Sequence, residues 1–245
     1  MIHDTTTLVG LLRWPAAQSL SPRMQNAGFT ALGLDWAYVP LPTAPDALGA
    51  AVRGLVAMGF AGANVTMPHK QAVIPLCDEL DEVAERAGSV NTLVVHENRV
   101  LGYSTDGNAV TDQIEAHGRR ALVLGTGGAS KAVATALASV GAEVVVRGRR
   151  DTEWPPAATG FDVLVNCTPI KDEVIVVPTP DMQVVDLAYN ADGSPTALVT
   201  AATEAGCDIV VDGLDVLLFQ GVASFERWTG LPAPIQTMRD ALRQR

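Results

Sequence analysis

A glycine-rich turn in the second half of the chain has the composition of a nucleotide-binding loop. Gly125-Thr-Gly127-Gly128-Ala-Ser130 stands between the apolar run 121–124 and a segment with helical periodicity. Glycines at such a turn let the backbone approach a pyrophosphate closely, and the helix N-terminus points its N–H groups at the anion. The strict fingerprint has a third glycine where Ser130 stands, and methyltransferases and plain strand–helix turns carry similar glycines. The pattern favours a nucleotide site, with a purely structural turn as the alternative.

Basic residues follow the next predicted strand, where an NAD enzyme usually carries an acidic residue that binds the ribose. The segment reads Arg147-Gly148-Arg149-Arg150, so three of the 17 basic side chains fall within four positions. Planar guanidinium groups suit a 2′-phosphate by charge and geometry. The segment therefore favours NADP. Two alternatives stay open: a solvated loop end, and NAD binding through Asp151.

Polar residues in the first half of the chain lie at predicted strand ends and helix starts, where α/β proteins bind ligands. Asn64, Thr66 and Lys70 supply an amide, a hydroxyl and an amine along one such segment. Ser19 and Ser21 flank a helix start, where two hydroxyls could hold a carboxylate. Helix capping explains Ser21 but not Ser19.

Two further polar pairs, Asn91-Thr92 and Thr105-Asp106, stand beside apolar strands. Asp106 could equally be the N-cap of the helix that follows it. A lone lysine is usually a solvated charge, and Lys70 is a candidate only because of its neighbours. His69 is expected to be structural or to face solvent.

The elements that position these residues alternate between strand and helix, which predicts an α/β fold with parallel sheets. Residues 118–120 read as a linker between two such units. The predicted strands are 6–11, 37–41, 62–66, 92–96, 100–104, 121–124, 143–146, 161–167, 184–187 and 208–211. The predicted helices are 21–33, 45–58, one from residue 68, 81–88, 107–117, 130–140, 196–205, 215–227 and 235–243.

The composition is that of a globular chain. It has 245 residues, 48% of them hydrophobic, and a formal net charge of −10. Such a chain can bury a large core, which excludes wholesale disorder, and its acidity argues against a whole-protein nucleic-acid binder. The three cysteines lie far apart and share no metal-ligand spacing with the four histidines, so neither disulfides nor a metal site are expected. Because the chain has no signal-peptide pattern and no membrane-length apolar run, the expected location is the cytoplasm.

Eight motifs, which run in family order along nearly the whole chain, resemble those of shikimate dehydrogenases. They are Ser19-Leu-Ser-Pro22, Asn64-Val-Thr-Met-Pro-His-Lys70, Gly88-Ser-Val-Asn-Thr92, Gly102-Tyr-Ser-Thr-Asp106, Gly125-Thr-Gly-Gly-Ala-Ser130, Asn166-Cys-Thr-Pro169, Asp186-Leu-Ala-Tyr189 and Gln220-Gly-Val-Ala-Ser-Phe-Glu-Arg-Trp-Thr-Gly230.

The resemblance implies an oxidoreductase that uses NADP to reduce 3-dehydroshikimate reversibly to shikimate, in aromatic amino acid and chorismate biosynthesis. It implies a substrate domain over 1–106, completed by the C-terminal helices in 214–245, and a Rossmann-type NADP-binding domain over 107–213. The expected partners are these small molecules, with no nucleic acid and no membrane. A homodimer is left open.

The resemblance also implies a role for each matching residue. Lys70 and Asp106 would form the catalytic acid–base pair. The substrate-binding residues would be Ser19 and Ser21 for the carboxylate, and Asn64, Thr66, Asn91, Asp106, Tyr189 and Gln220 for the ring and its hydroxyls. The cofactor-binding residues would be Gly125, Thr126, Gly127, Gly128, Ala129, Arg149, Arg150, Thr168, Leu187 and Gly213.

The chain departs from the family pattern at several positions. The usual Asn-Arg-Thr phosphate clamp is Gly148-Arg149-Arg150 here. The stretch between Arg150 and Phe161 is too short for most of the helix that the family places there, so the adenine side of the cofactor pocket is expected to differ. The remaining departures are Arg13 for a glycine, Gln18 for a histidine, Val216 for a methionine near the nicotinamide, and Ile170-Lys171 where a glycine commonly follows.

Two rival functions remain at this stage. The first is another enzyme of the same fold, a quinate or aminoshikimate dehydrogenase. The second is a degenerate, non-catalytic protein that binds shikimate or a nucleotide, against which the presence of both Lys70 and Asp106 argues. A methyltransferase interpretation of the glycine turn leaves the first half of the chain unexplained.

Overall fold

The computed structural model describes residues 2–16 and 18–244, and the chain divides into two compact units. Unit 1 extends to Thr105 and resumes over Leu218–Gln244, whereas unit 2 is the intervening segment Asp106–Leu217. The second unit is therefore inserted into the sequence of the first.

The strands and helices alternate along most of the chain. The strands are β1 (Thr7–Arg13), β2 (Trp36–Pro42), β3 (Gly62–Val65), β4 (Glu79–Leu80), β5 (Thr92–His96), β6 (Arg99–Tyr103), β7 (Arg120–Leu124), β8 (Glu143–Arg147), β9 (Val163–Asn166), β10 (Gln183–Asp186) and β11 (Val210–Val211). The helices are α1 (Ser21–Ala31), α2 (Leu48–Ala57), α3 (Glu82–Ala87), α4 (Asn108–Thr111), α5 (Gly128–Ser139), α6 (Ala197–Ala205), α7 (Gly213–Thr229) and α8 (Ile235–Arg243).

Unit 1 contains a mixed sheet of six strands in the order β2-β1-β3-β5-β6-β4. Strand β1 pairs in parallel with both β2 and β3, so the carboxyl ends of these three strands lie at one edge of the sheet. Strand β5 runs antiparallel to β3 and to β6. The β5–β6 turn holds Glu97 and Asn98 at φ of 50° and 61°, the positive values that a tight hairpin needs.

Unit 2 contains a parallel sheet of five strands in the order β11-β10-β9-β7-β8. Every residue of β9 and β10 is buried, and β7 is buried from Ala121 to Leu124. Continuous apolar runs of this kind are expected where helices cover both faces of a parallel sheet. The predicted α/β class with a Rossmann-type parallel sheet is confirmed.

Two local signals define helix ends as expected. Asp81 is the N-cap of α3, where its carboxylate accepts the Ala84 N–H at 2.8 Å, and Gly88 ends the helix in the left-handed region at φ 56°. Thr196 caps α6 in the same way by accepting the Val199 N–H at 3.2 Å.

Two predicted helices are wrong. The segment from Pro68 forms successive turns and a short 3₁₀ helix over Ile74–Leu76, because Pro75 has no N–H to continue an α-helix. The helix predicted over 107–117 is limited to α4, since the backbone of Glu115 pairs with the Gln183 side chain through two hydrogen bonds of 2.8 and 3.1 Å.

One predicted boundary also differs from the structure. The supposed linker at 118–120 is not the boundary between the units, since Arg120 already belongs to β7 and the units meet at residues 105 and 106. Over residues 2–16 and 18–244, no helix combines the length and the apolar character that crossing a membrane requires.

Candidate active site

The N-terminus of α1 carries two hydroxyl groups side by side. Ser19 Oγ lies 3.3 Å from Ser21 Oγ and also accepts the Ser21 N–H at 3.3 Å. The prediction that Ser21 is the N-cap is wrong by one position: Leu20 is the N-cap and makes no side-chain hydrogen bond. Because Ser19 accepts an N–H of the first turn, both hydroxyls stand at the positive end of a helix. Such a position favours an anion.

The end of β3 leads into a tight turn that carries Thr66 and Lys70, both half-buried. The Thr66 N–H donates to the Leu12 carbonyl at 3.0 Å, and the Lys70 carbonyl accepts the Val90 N–H at 2.8 Å. The turn is therefore fixed to the sheet on one side and to residue 90 on the other. Its His69 is 1% exposed, with Nε2 2.8 Å from the Thr43 carbonyl, which confirms a structural role for the imidazole.

The side chain of Asn64, in β3, lies in a buried network of amide and hydroxyl groups. Its Oδ1 accepts the Tyr38 hydroxyl at 2.9 Å. Its Nδ2 lies 3.0 Å from Ser224 Oγ and 3.2 Å from Thr92 Oγ1. The network thus joins β2, β3, β5 and α7.

A second polar group lies where β5 begins and β6 ends. Asn91 Nδ2 donates to Thr105 Oγ1 at 2.8 Å, while Asn91 Oδ1 accepts the Thr105 N–H at 2.9 Å. The Thr105 hydroxyl then donates to the Gln220 carbonyl at 3.1 Å, and Gln220 Oε1 lies 3.5 Å from Asn91 Nδ2. The structure therefore brings together the predicted substrate residues Asn91 and Gln220.

Asp106 and Tyr189 belong to unit 2. Asp106 is the first residue of that unit and is 6% exposed. The alternative that Asp106 caps the next helix is wrong, because α4 begins at Asn108 with Gly107 as its N-cap. Tyr189 is half-buried in the loop that follows β10.

The buried carboxylate of Asp186 holds this loop in place. Its Oδ1 accepts the Asn166 amide and the Ala188 N–H, both at 2.9 Å, and its Oδ2 accepts the Thr196 hydroxyl at 2.5 Å. Asn166 Oδ1 in turn accepts the Thr168 hydroxyl at 2.7 Å. One buried pair, Asp186 and Asn166, therefore fixes the loops after β9 and β10, which carry Thr168, Leu187 and Tyr189.

Burial raises the pKa of Asp186 above its ordinary value, against the hydrogen bonds from Thr196, Ala188 and Asn166, which lower it. A carboxyl group with a raised folded-state pKa binds its proton more strongly in the folded state. Its contribution to stability is therefore largest at low pH and is lost as pH rises through the folded-state pKa.

Asp186→Asn removes this titration. We expect the unfolding free energy of wild type, relative to Asp186→Asn, to fall as pH is raised above the ordinary pKa of an aspartate. Urea unfolding at several pH values tests this, and a difference that grows with pH would contradict it.

The glycine turn after β7 has the geometry of an anion site. Gly125 has φ 114°, and a Cβ there would lie 2.8 Å from Ser130 Oγ, so glycine is required. A Cβ at Gly127 would meet no atom within 4 Å, which leaves open space beside the start of α5. Together, the uncapped N–H groups of a 12-residue helix and this open space suit the pyrophosphate of a dinucleotide. Thr126 and Ala129 lie in the same turn.

The basic segment at the end of β8 forms a tight turn beside the glycine turn, since a Cβ at Gly148 would lie 2.6 Å from Thr126 Cγ2. The Asp151 N–H donates to the Gly148 carbonyl at 2.9 Å, while Asp151 Oδ2 accepts the Gly148 N–H at 2.8 Å. Arg149 and Arg150 are the two central residues of this turn and are exposed. The third arginine, Arg147, is half-buried and is paired with Glu153 at 3.6 Å.

The remaining cofactor candidates lie at the carboxyl ends of the parallel strands. Thr168 follows β9 and Leu187 follows β10. Gly213 begins α7, and a Cβ there would lie 2.2 Å from the Ala188 carbonyl, so only glycine fits. The structure places no helix in the short segment after Asp151, where Trp154 packs against the core of the sheet.

Sequence reasoning assigned no site role to several residues that support these sites. Their shared feature is a buried hydrogen bond to a predicted site residue or its loop: Tyr38, Thr92, Thr105, Asn166, Asp186, Thr196 and Ser224. All of them except Tyr38 and Thr196 stand in the family motifs, and Ser224 also lies on the same helix face as Gln220, four residues away.

Comparison with known proteins identifies the family. The sequence-family model of the shikimate dehydrogenase substrate-binding domain matches residues 11–93. The family model of the shikimate 5′-dehydrogenase C-terminal domain matches residues 213–243. A shikimate dehydrogenase (NADP(+)) from Rubrobacter xylanophilus is 41% identical over 280 residues, with 98% of this chain and 97% of that protein covered.

Solved structures agree with this assignment over the whole chain. Shikimate dehydrogenase from Aquifex aeolicus superimposes with a TM-score of 0.91 at 32% identity, covering 100% of both chains. The Thermus thermophilus enzyme, solved in complex with NADP(H) and shikimate, superimposes with a TM-score of 0.86 at 31% identity, covering 97% of this chain and 99% of that chain. The chain therefore belongs to the shikimate dehydrogenase family.

Proposed function

We propose that this protein catalyses the reversible NADP-dependent reduction of 3-dehydroshikimate to shikimate, in the cytoplasm and as a step of chorismate and aromatic amino acid biosynthesis. The observation that carries the proposal is that unit 1 holds paired hydroxyls and a buried amide–hydroxyl group in a chain similar end to end to NADP-dependent shikimate dehydrogenases. Unit 1, which includes α8 and the part of α7 from Leu218 onward, is then the substrate domain, and the parallel-sheet unit is the cofactor domain.

The substrate carboxylate would bind at the N-terminus of α1. Ser19 and Ser21 can each donate a hydroxyl hydrogen to it, and the positive end of the helix adds favourable electrostatics. The hydroxyl-rich ring would meet Thr66, Asn91 and Gln220. Asn64 keeps one lone pair of Oδ1 for the ring, since the Tyr38 hydroxyl takes only the other. Asp106 and Tyr189 would also contact the ring.

Lys70 and Asp106 would perform the proton transfer. Oxidation of a secondary alcohol requires the hydroxyl proton to leave for a base, and the reverse reaction requires an acid. Lys70 is a suitable group because an amine can accept a proton as a base and, as the ammonium, return it as an acid. The Asp106 carboxylate, which is 6% exposed, would orient the reacting hydroxyl.

The residues of unit 2 fit NADP. The open space at Gly127 and the start of α5 suit the pyrophosphate, and the exposed Arg149 and Arg150 suit a 2′-phosphate. Thr168, Leu187 and Gly213, at the carboxyl ends of the strands, would hold the nicotinamide side. When bound, the cofactor supplies or accepts the hydride, and the chain supplies orientation and proton transfer.

Replacing Ser19 or Ser21 with alanine should weaken substrate binding more than cofactor binding. A lost hydrogen bond to a charged group costs about 1.5–3 kcal/mol, which is roughly a tenfold or greater rise in KM for shikimate. KM for NADP should stay within about twofold of wild type in the same assays. An analogue of shikimate that lacks the carboxylate provides the control. Equal losses for shikimate and for this analogue would contradict the assignment.

The proposed function is tested most simply in the reductive direction. Purified protein is mixed with NADPH and 3-dehydroshikimate, and the product is identified by chromatography against authentic shikimate. Consumption of NADPH with formation of shikimate supports the proposal. Consumption only with dehydroquinate, to give quinate, would support the rival enzyme of the same fold.

A further inference from the structure

The buried hydroxyl of Ser224 joins helix α7 to the sheet of unit 1. Ser224 is 0% exposed, and its Oγ lies 2.8 Å from Thr92 Oγ1, 3.0 Å from Asn64 Nδ2 and 3.0 Å from the Gln220 carbonyl. A serine hydroxyl has one hydrogen and two lone pairs. Because the Gln220 carbonyl can only accept, Ser224 donates to it and accepts from the Asn64 amide. The Thr92 hydroxyl has Ser224 Oγ at 2.8 Å and Asn91 Oδ1 at 3.2 Å as acceptors for its one hydrogen.

The orientation of the Asn64 amide follows from its neighbours. Nδ2 lies 3.2 Å from the Asn91 carbonyl, which is an acceptor only. The amide nitrogen must therefore face Asn91 and Ser224, and Oδ1 must face the Tyr38 hydroxyl, which donates to it at 2.9 Å. Tyr38 and Ser224 thus hold Asn64 in one orientation from opposite ends.

This arrangement fixes the helix face that carries Gln220. Residues 220 and 224 lie one turn apart on α7, so a helix held at 224 is also held at 220. A second hydrogen bond acts at residue 220, one helical turn before Ser224, where the Thr105 hydroxyl donates to the Gln220 carbonyl at 3.1 Å. Gln220 is consequently fixed relative to Asn91 through the Thr105 side chain, which bonds to both residues.

We propose that Ser224 is a positioning residue for substrate binding, and that Tyr38, Asn64 and Thr92 act with it to hold Gln220 and Asn91 at the spacing that the ring hydroxyls of the substrate require. The inference rests on the proposed function, since it assigns Gln220 and Asn91 to the substrate ring. Ser224 itself acts through Gln220 and does not touch the reacting atoms.

The test compares Ser224→Ala, Thr92→Val and Tyr38→Phe, each of which removes one hydroxyl of the network. We expect KM for shikimate to rise about three- to tenfold in each, the effect of one lost neutral hydrogen bond, with KM for NADP within about twofold of wild type. Thr92→Ser keeps the hydroxyl and should stay within about twofold of wild type for both substrates. Thr229→Ala is the matched control, since its hydroxyl donates to the Phe225 carbonyl at 2.9 Å on the same helix, outside the network.

A merely structural role gives a different result. In that case the three variants would melt at lower temperature but keep the wild-type KM for shikimate, and this outcome would overturn the inference. If Ser224→Ala does not fold, Thr92→Val against Thr92→Ser decides the question in the same way. Wild-type protein that neither oxidises nor binds shikimate would overturn the proposed function itself, whereas active wild type with unchanged variants would overturn only the role of Ser224.

Discussion

Replacing Lys70 with alanine should lower kcat for shikimate oxidation about 10²–10⁴-fold, the usual contribution of a positioned acid–base group. The fold should be preserved, because backbone hydrogen bonds from the Val90 N–H to the Lys70 carbonyl and from the Thr66 N–H to the Leu12 carbonyl hold this turn. The measurement is steady-state kinetics at saturating shikimate and NADP, together with a thermal melt of the variant.

Two further variants separate proton transfer from loss of charge at this position. Lys70→Arg keeps the positive charge, but a guanidinium does not release its proton in a protein, so its turnover should also be low. Lys131→Ala removes an exposed lysine of α5 and should keep near-normal turnover at saturating NADP. Near-normal turnover of Lys70→Ala or of Lys70→Arg would contradict the acid–base role.

Replacing Arg149 and Arg150 together with alanine should remove most of the affinity for NADP and leave affinity for NAD nearly unchanged. Both guanidinium groups are exposed at the centre of a turn whose ends are fixed by two hydrogen bonds between Gly148 and Asp151. A charge-assisted contact contributes about 1.5–3 kcal/mol, so losing two should raise KM for NADP at least about 30-fold even after solvent screening. The fixed turn also means that alanine at its centre should not disturb the strand.

The salt dependence gives an independent test of the same two arginines. Because the attraction of a phosphate is screened, KM for NADP in wild type should rise with ionic strength more steeply than KM for NAD, and the double variant should lose this difference. Arg53→Ala combined with Arg86→Ala removes the same charge from exposed helix positions of unit 1 and is the control. If wild type has equal KM values for NAD and NADP, and the double variant has the same KM values and salt dependence, the arginines only form a solvated loop end.

Much of the fold could be predicted where a local pattern decides the structure. The run 121–124 is apolar throughout and becomes the buried part of β7. The α3 helix has its own cap and its own terminating glycine in Asp81 and Gly88. These signals are complete within a few residues, so the sequence is enough to predict them.

Other features depend on partners that are distant along the chain. The helix after residue 107 ends early because Gln183, 68 residues away, pairs with the backbone of Glu115. Asn64 and Ser224 are separated by 160 residues, and nothing near either of them indicates the other. The motifs therefore predict which residues are candidates to bind substrate or cofactor. The buried groups that hold those residues in place become visible only in the folded chain.

The measurement that tests the central claim most directly is the formation of reduced nicotinamide by the purified full-length protein with shikimate, followed by absorbance with NADP and with NAD. We expect shikimate-dependent reduction of NADP, and a kcat/KM for NADP at least about tenfold higher than for NAD. A single charge-assisted contact between Arg149 or Arg150 and the 2′-phosphate is enough to give this ratio. Protein that is folded but reduces neither cofactor with shikimate would contradict the account.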